Sequence, residues 1–150
     1  DKGSFIVVGK QRRITMVDGE NFKQIPEFWS DCMKDGSYQQ ISSNAGKLGI
    51  LGICKDFGKD EFNYMIGVEK IKDNLPKGYV SSTIPTATWA VFESIGALPK
   101  SIQDLTRRIF TEWLPSTGYQ HDCAPELEVY PVGDTSSNNY RCEIWIPIKK

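Results

Sequence analysis

"TWAVFESIGALPKSIQDLTRRIFTEWLP" occupies Thr88–Pro115, and two different periods run through it. Thr88–Ile95 is rich in β-branched and aromatic residues and reads as a strand. From Ser101 onward, Ile102, Leu105, Ile109 and Trp113 recur at spacings that share one side of a helix. Ser101 stands as its N-cap, Asp104 follows in the capping position, and Pro115 ends it. "ELEVYPV" (Glu126–Val132) and "YRCEIWIPI" (Tyr140–Ile148) then read as two strands joined by the loop "GDTSSNN".

The same order stands earlier in the chain. "FIVVGKQRRIT" (Phe5–Thr15) reads as a strand, and Asp18-Gly19 breaks it. Ile25, Phe28, Trp29, Cys32 and Met33 keep helical spacing, with Pro26 suited to a first turn and Gly36 to the stop. "KLGILGICKDF" and "EFNYMIGVEKI" form a hairpin about Gly58-Lys59-Asp60. "NLPKGY" (Asn74–Tyr79) joins the halves. Strand–helix–strand–strand thus occurs twice, over about 5–73 and 80–150. The expected architecture is α+β: duplicated β-α-β-β units in a single domain, 5–150, forming one antiparallel sheet. Two helices cover one face and leave a central cleft. Asp1–Ser4 is set aside as a disordered start or expression remnant.

The 150 residues suffice for one core, and 39% hydrophobic with 25% charged residues is ordinary for a globular protein. A net charge of −1, without a basic run, argues against direct nucleic-acid binding. No apolar stretch is long enough to cross a bilayer, so a soluble, cytoplasmic protein without membrane contact is expected. Cys32, Cys54, Cys123 and Cys142 are scattered and lack the paired spacing of a zinc site, so no metal or other cofactor is expected. His121 is read as a solvated loop residue. There is no phosphate-binding glycine motif and no nucleophile elbow, so no enzyme is indicated.

The acidic strand carries more information. Glu126, Glu128 and Tyr130 alternate with Leu127 and Val129, which puts two carboxylates and a phenol on one face. Such acids usually face solvent. Among aromatic rings the physics differs, because a desolvated carboxylate needs a partner and a lipophilic cation supplies one. Trp29, Trp89, Trp113 and Trp145 are the tryptophans available to line a cleft. Taken singly, each is more readily a packed core residue.

"ENFKQIPEFWSDC", "GILGICKDF", "FNYMIGVE", "IPTATWAVFES", "LTRRIFTEWLPSTGY", "PELEVYPVGD" and "EIWIPIKK", in this order, resemble the GyrI-like family. These are the effector-binding domains of bacterial AraC- and MerR-type transcription activators and related stand-alone proteins. The resemblance implies a duplicated fold with a cleft between two helices, where multidrug-sensing members bind lipophilic cations through a buried glutamate. That role falls on Glu128 in the Glu-x-Tyr strand with Tyr130, and whether Glu128 or Glu126 faces the cleft stays open. Trp145 would lie on the neighbouring strand and Trp29, Phe110 and Trp113 on the helices. Trp89, Phe92 and Tyr64 are further candidates. The expected ligands are small lipophilic cations, and the expected completion is a DNA-binding domain or protein partner not present in this chain. A gyrase-inhibitor-like protein-binding module is the alternative, and a hydrolase using Glu128 as general base ranks last.

Overall fold

Alternating apolar residues build most of the sheet seen in this computed structural model, which describes residues 1–70 and 77–150. Its strands are β1 (Phe5–Thr15), β2 (Ile50–Lys55), β3 (Glu61–Glu69), β4 (Val80–Ile84), β5 (Thr88–Ile95), β6 (Gln120–His121), β7 (Glu126–Tyr130) and β8 (Arg141–Lys149). They pair in the order β4-β1-β3-β2-β7-β8-β5, with β6 also against β8. The order β1-β3-β2 is repeated in reverse as β7-β8-β5, so the two β-α-β-β units meet at β2 and β7. Their register runs from Ile50↔Tyr130 to Cys54↔Glu126, and its middle pair is Gly52↔Glu128. Gly52 pairs with Ile66 and Glu128 with Ile144 on their outer sides. The pseudo-twofold relating the units therefore passes beside Gly52 and Glu128.

Helices α1 (Asn21–Asp35) and α2 (Ser37–Ser42) cover one half of a face, and α3 (Lys100–Arg108) covers the other. Under α1, Phe28 and Cys32 pack on Ile14, Phe62, Tyr64, Ile66 and Val68. Under α3 and the segment that continues it, Ile102 and Ile109 pack on Cys142, Ile144, Ile146 and Ile148. Phe5, Val7, Leu51, Ile53, Met65, Ile84, Leu127 and Val129 form a third cluster on the opposite face. None of the described helices contributes to it, yet Leu51, Ile53, Met65 and Leu127 are fully buried. Side chains from edge strand β4 and central β7 share that cluster, so the sheet curls and closes over its own apolar face.

Two glycines permit the curl. Gly9 and Gly67 face each other across β1 and β3. A Cβ on Gly9 would drive into the Ile66 carbonyl, and one on Gly67 would come within 2.5 Å of the Val8 oxygen. A strand glycine marks such a close backbone approach.

Several local expectations change. α1 begins at Asn21, so Pro26 lies inside it rather than in its first turn, while Gly36 does close it with φ 86°. Ser101 is not the N-cap. Pro99 holds that position, the Ser101 hydroxyl donates to the Gly96 carbonyl at 3.1 Å, and Asp104 pairs with Lys100 at 2.6 Å. The second helix widens into a π-helical segment, Ile109–Trp113, and ends with a turn at Leu114–Ser116 that contains Pro115. The strands β4 and β6 and the helix α2 are additions. Part of the expected joint, 74–76, lies outside the described residues. Lys2, set aside in the sequence, exchanges both backbone hydrogen bonds with Ala87 at 3.0 and 3.1 Å.

Gly9→Ala should destabilise the protein by about 1–3 kcal/mol or more in a denaturant titration, as forced overpacking does. Gly118→Ala, where an added Cβ meets nothing within 4 Å, should leave the midpoint nearly unchanged.

Candidate functional site

Between the helix layers lie β2 and β7, since the main helix contacts with the sheet are those of α1 with β1, α2 with β3, and α3 with β5 and β8. Glu128 stands midway along β7. Its Oε1 accepts hydrogen bonds from the Tyr64 hydroxyl at 2.6 Å and the Tyr130 hydroxyl at 3.0 Å. The Trp29 indole N–H donates to the Tyr64 oxygen at 3.0 Å. A chain of donors thus runs from α1, through β3, to a carboxylate on β7. Tyr64 starts from β3 and must pass over β2 to arrive. Gly52 makes this possible, because a Cβ there would collide with the Tyr64 hydroxyl and lie 2.5 Å from Glu128 Oε1. Rings close around the group: Trp29 meets Tyr130 edge-on at 5.2 Å, Tyr64 at 6.5 Å and Tyr38 at 6.2 Å.

Burial pushes the Glu128 carboxyl above its ordinary value, the two phenol hydrogen bonds pull it back, and the Glu126 charge adds to the rise. Burial, followed by the charge of Glu128, drives Tyr64 and Tyr130 well above the usual phenol range. Both phenols therefore remain donors. Oε2 of Glu128 accepts no hydrogen bond from a described residue. Among the described residues, the sealed side-chain polar atom without a partner is Trp89 Nε1. Oε2 is therefore not fully sealed from solvent.

The nine residues singled out in the sequence fall into separate groups. Glu128, Tyr64, Tyr130 and Trp29 come together as described. Phe92 and Trp113 meet edge-on at 4.9 Å and pack, like Tyr130, against the cluster beneath α3. Phe110 lies on the π-helical segment and stacks against His121 at 6.4 Å. Trp89 and Trp145 are elsewhere. Trp145 pairs with Leu127, not with Glu128, so both indoles sit on the opposite, curled face, 5.9 Å from each other. The neighbouring strand was anticipated, but its alternation sends Ile144 to the Glu128 side. Glu126 and Glu128 share one face, as residues two apart in a strand must. They differ in place along it: Glu128 has the phenols, and Glu126 has His121. The imidazole is half-buried on β6 rather than solvated in a loop. No group of three or more His, Cys, Asp or Glu side chains among the described residues is placed to hold a metal ion. No helix among them is long and apolar enough to cross a membrane.

Comparison with known proteins places this geometry. The family model of Cass2, described as integron-associated effector binding protein, matches residues 1–148. The chain belongs to the Cass2 family. Among curated proteins no match is found. A solved structure of SAV2435 bound to tetraphenylphosphonium is similar, with TM-score 0.86 and 28% identity over 99% of this chain and 90% of that one. A putative bacterial transcription regulation protein from Staphylococcus aureus MU50 has TM-score 0.78 and 29% identity over 99% and 95% of the two chains. The C-terminal domain of EcmrR shares the fold, with TM-score 0.62 and 16% identity over 99% and 94%.

In this Cass2 family member, sequence reasoning missed Gly52, Tyr38 and His121. Gly52 left a signal, since a glycine inside an apolar strand marks a close approach. Tyr38 left none, because helix α2 was not anticipated. Tyr64→Phe should cost about 1–3 kcal/mol in chemical denaturation, since both Glu128 and the Trp29 N–H lose a partner. Tyr130→Phe, which removes one bond only, should cost less. The reverse order would mean that Tyr64 does not link α1 to the carboxylate.

Proposed function

We propose that this chain is an effector-binding domain whose central groove takes lipophilic, preferably cationic, aromatic compounds. Glu128 is the charge partner, Trp29, Tyr64 and Tyr130 are its immediate wall, and Phe92 and Trp113 border it on the α3 side. The observation that carries this reading is the state of Glu128, whose desolvated carboxyl is held by neutral donors on one oxygen and left unbonded by any described residue on the other. Two phenols stabilise the charge without neutralising it. A cation in the groove supplies the missing charge, and ring faces add cation–π attraction. A neutral aromatic fills the same volume and leaves the acid unpaired. SAV2435 in complex with tetraphenylphosphonium, a charge sheathed in phenyl rings, supports the same ligand class here.

A role in transcription regulation is supported by the effector-binding family and by the likeness to the putative Staphylococcus aureus regulation protein. The domain would act in the cytoplasm, reporting ligand to a DNA-binding domain or protein partner outside this chain. It binds its effector without turning it over. Trp89 and Trp145 are left out of this groove.

Titration with tetraphenylphosphonium and with neutral triphenylphosphine oxide tests the assignment. Glu128→Gln should weaken the cation by about tenfold or more, ~1.4 kcal/mol, and the neutral compound far less. Equal losses for both would remove Glu128 from the charge recognition.

The raised pKa adds a pH dependence. Binding of the cation should fall on acidification through that raised value, at a higher pH than an ordinary glutamate would dictate. In the free protein, the contribution of Glu128 to stability is present in full below the unfolded value and is lost as pH rises through the folded one. Thermal melts of Glu128→Gln should lack this component, and an unchanged pH profile would contradict it.

A further inference from the structure

We propose that Glu126, with the Phe57 and Phe110 rings, forms a second cation subsite of the same groove, occupied in the free protein by His121. Ligands carrying two positive groups would then bind more tightly than their monocationic counterparts. The inference rests on Glu128 being the first charge partner and adds a second point of recognition to it.

The line of residues along β8 supports it. His121 pairs with Ile148, while Leu127 and Glu128 pair with Trp145 and Ile144 farther along the same strand. Ile144 and Ile148 both point to the α3 cluster. His121, Glu126, Glu128 and Tyr130 therefore follow one another on one face, down the middle of the sheet. Glu126 and Glu128 are two strand residues apart, roughly 7 Å.

At its end of this line Glu126 is an acid with little support. Its side chain is 17% exposed, and the His121 ring faces it, with Nε2 3.7 Å from Oε1. Glu126 accepts no hydrogen bond from a described residue. The imidazole is held from its other side, where Nδ1 accepts the Cys123 backbone N–H at 3.0 Å. That bond leaves the ring proton on Nε2, facing the carboxylate. At that distance the contact is too long for a hydrogen bond.

Rings flank the imidazole from two separate elements. Phe110, on the π-helical segment, stacks on it at 6.4 Å and 26°. Phe57, beyond the end of β2, meets it edge-on at 6.3 Å and 87°. Both phenyl groups are substantially exposed, at 39% and 45%, and can be reached from solvent. A flat nitrogen ring between two phenyl groups, leaning on a carboxylate it does not firmly bond, has the surroundings that an aromatic cation seeks. The imidazole holds the place of that cation, and a permanently charged ring would displace it.

The charges of a rigid 4,4′-bipyridinium are separated by roughly the distance that two strand residues span. Calorimetric titration of the whole chain with benzyl viologen and with the monocation N-benzyl-4-phenylpyridinium tests the proposal. The dication should bind about tenfold more tightly, the scale of one half-buried ion pair with ring contacts. Glu126→Gln should abolish that preference while changing the monocation little, and Glu128→Gln should weaken both ligands. His121→Ala, which clears the place between the rings, should raise dication affinity. A preference that survives in Glu126→Gln, or a fall in dication affinity in His121→Ala, overturns the second subsite. Loss of neither ligand in Glu128→Gln would instead overturn the first charge partner.

Discussion

Tyr64 reaches Glu128 only because the residue between them has no side chain. Gly52 lies on the intervening strand, at the pseudo-twofold, and is the register partner of the acid. The duplicated units put equivalent positions of β2 and β7 side by side, and the pair is resolved asymmetrically. One half contributes a carboxylate and the other contributes empty space, through which a phenol from β3 arrives. A Cβ at Gly52 would close that space. The donor chain from the Trp29 indole to the carboxylate, and with it the tie between α1 and the second half, depends on this vacancy.

The two faces of the sheet then have opposite tasks. One is bent around Gly9 and Gly67 until its aliphatic side chains bury one another, with Trp89 and Trp145 packed against them. It is a dry core, and it holds the strands in register. The other is covered at its flanks by helices and carries a polar line from Tyr130 to His121 along its middle. Putting the carboxylates on the face that helices cover incompletely avoids the cost of full burial while keeping water from screening them freely. The rigid face behind fixes their positions.

The two phenols orient the Glu128 carboxyl through hydrogen bonds to Oε1. A cation bound as proposed would therefore not need to organise it, and its desolvation would be offset by contact with aromatic rings. Rings and a carboxylate would impose few directional demands on such a ligand. The π-helical widening at Ile109–Trp113 carries Phe110 and Trp113, whose rings meet His121 and Phe92.

The strands β1 and β5, the β2–β3 hairpin, the helix stop at Gly36 and the repeated order of elements were legible in the sequence, because local spacing reports which side of an element is apolar. So was the grouping of Glu126, Glu128 and Tyr130 on one face, since period two is a property of the strand itself. β4 was not, because Ser81 and Ser82 dilute its pattern, and neither was the helix cap, since Pro99 rather than Ser101 begins that turn. Local spacing also cannot say which faces of two distant strands coincide. That depends on pairing register, a long-range quantity, and it put Ile144 rather than Trp145 beside Glu128. Register likewise brought Tyr64 over Gly52 and His121 into line with Glu126, so the sequence by itself determined the elements and their chemistry, while tertiary structure alone decided which of those chemistries meet.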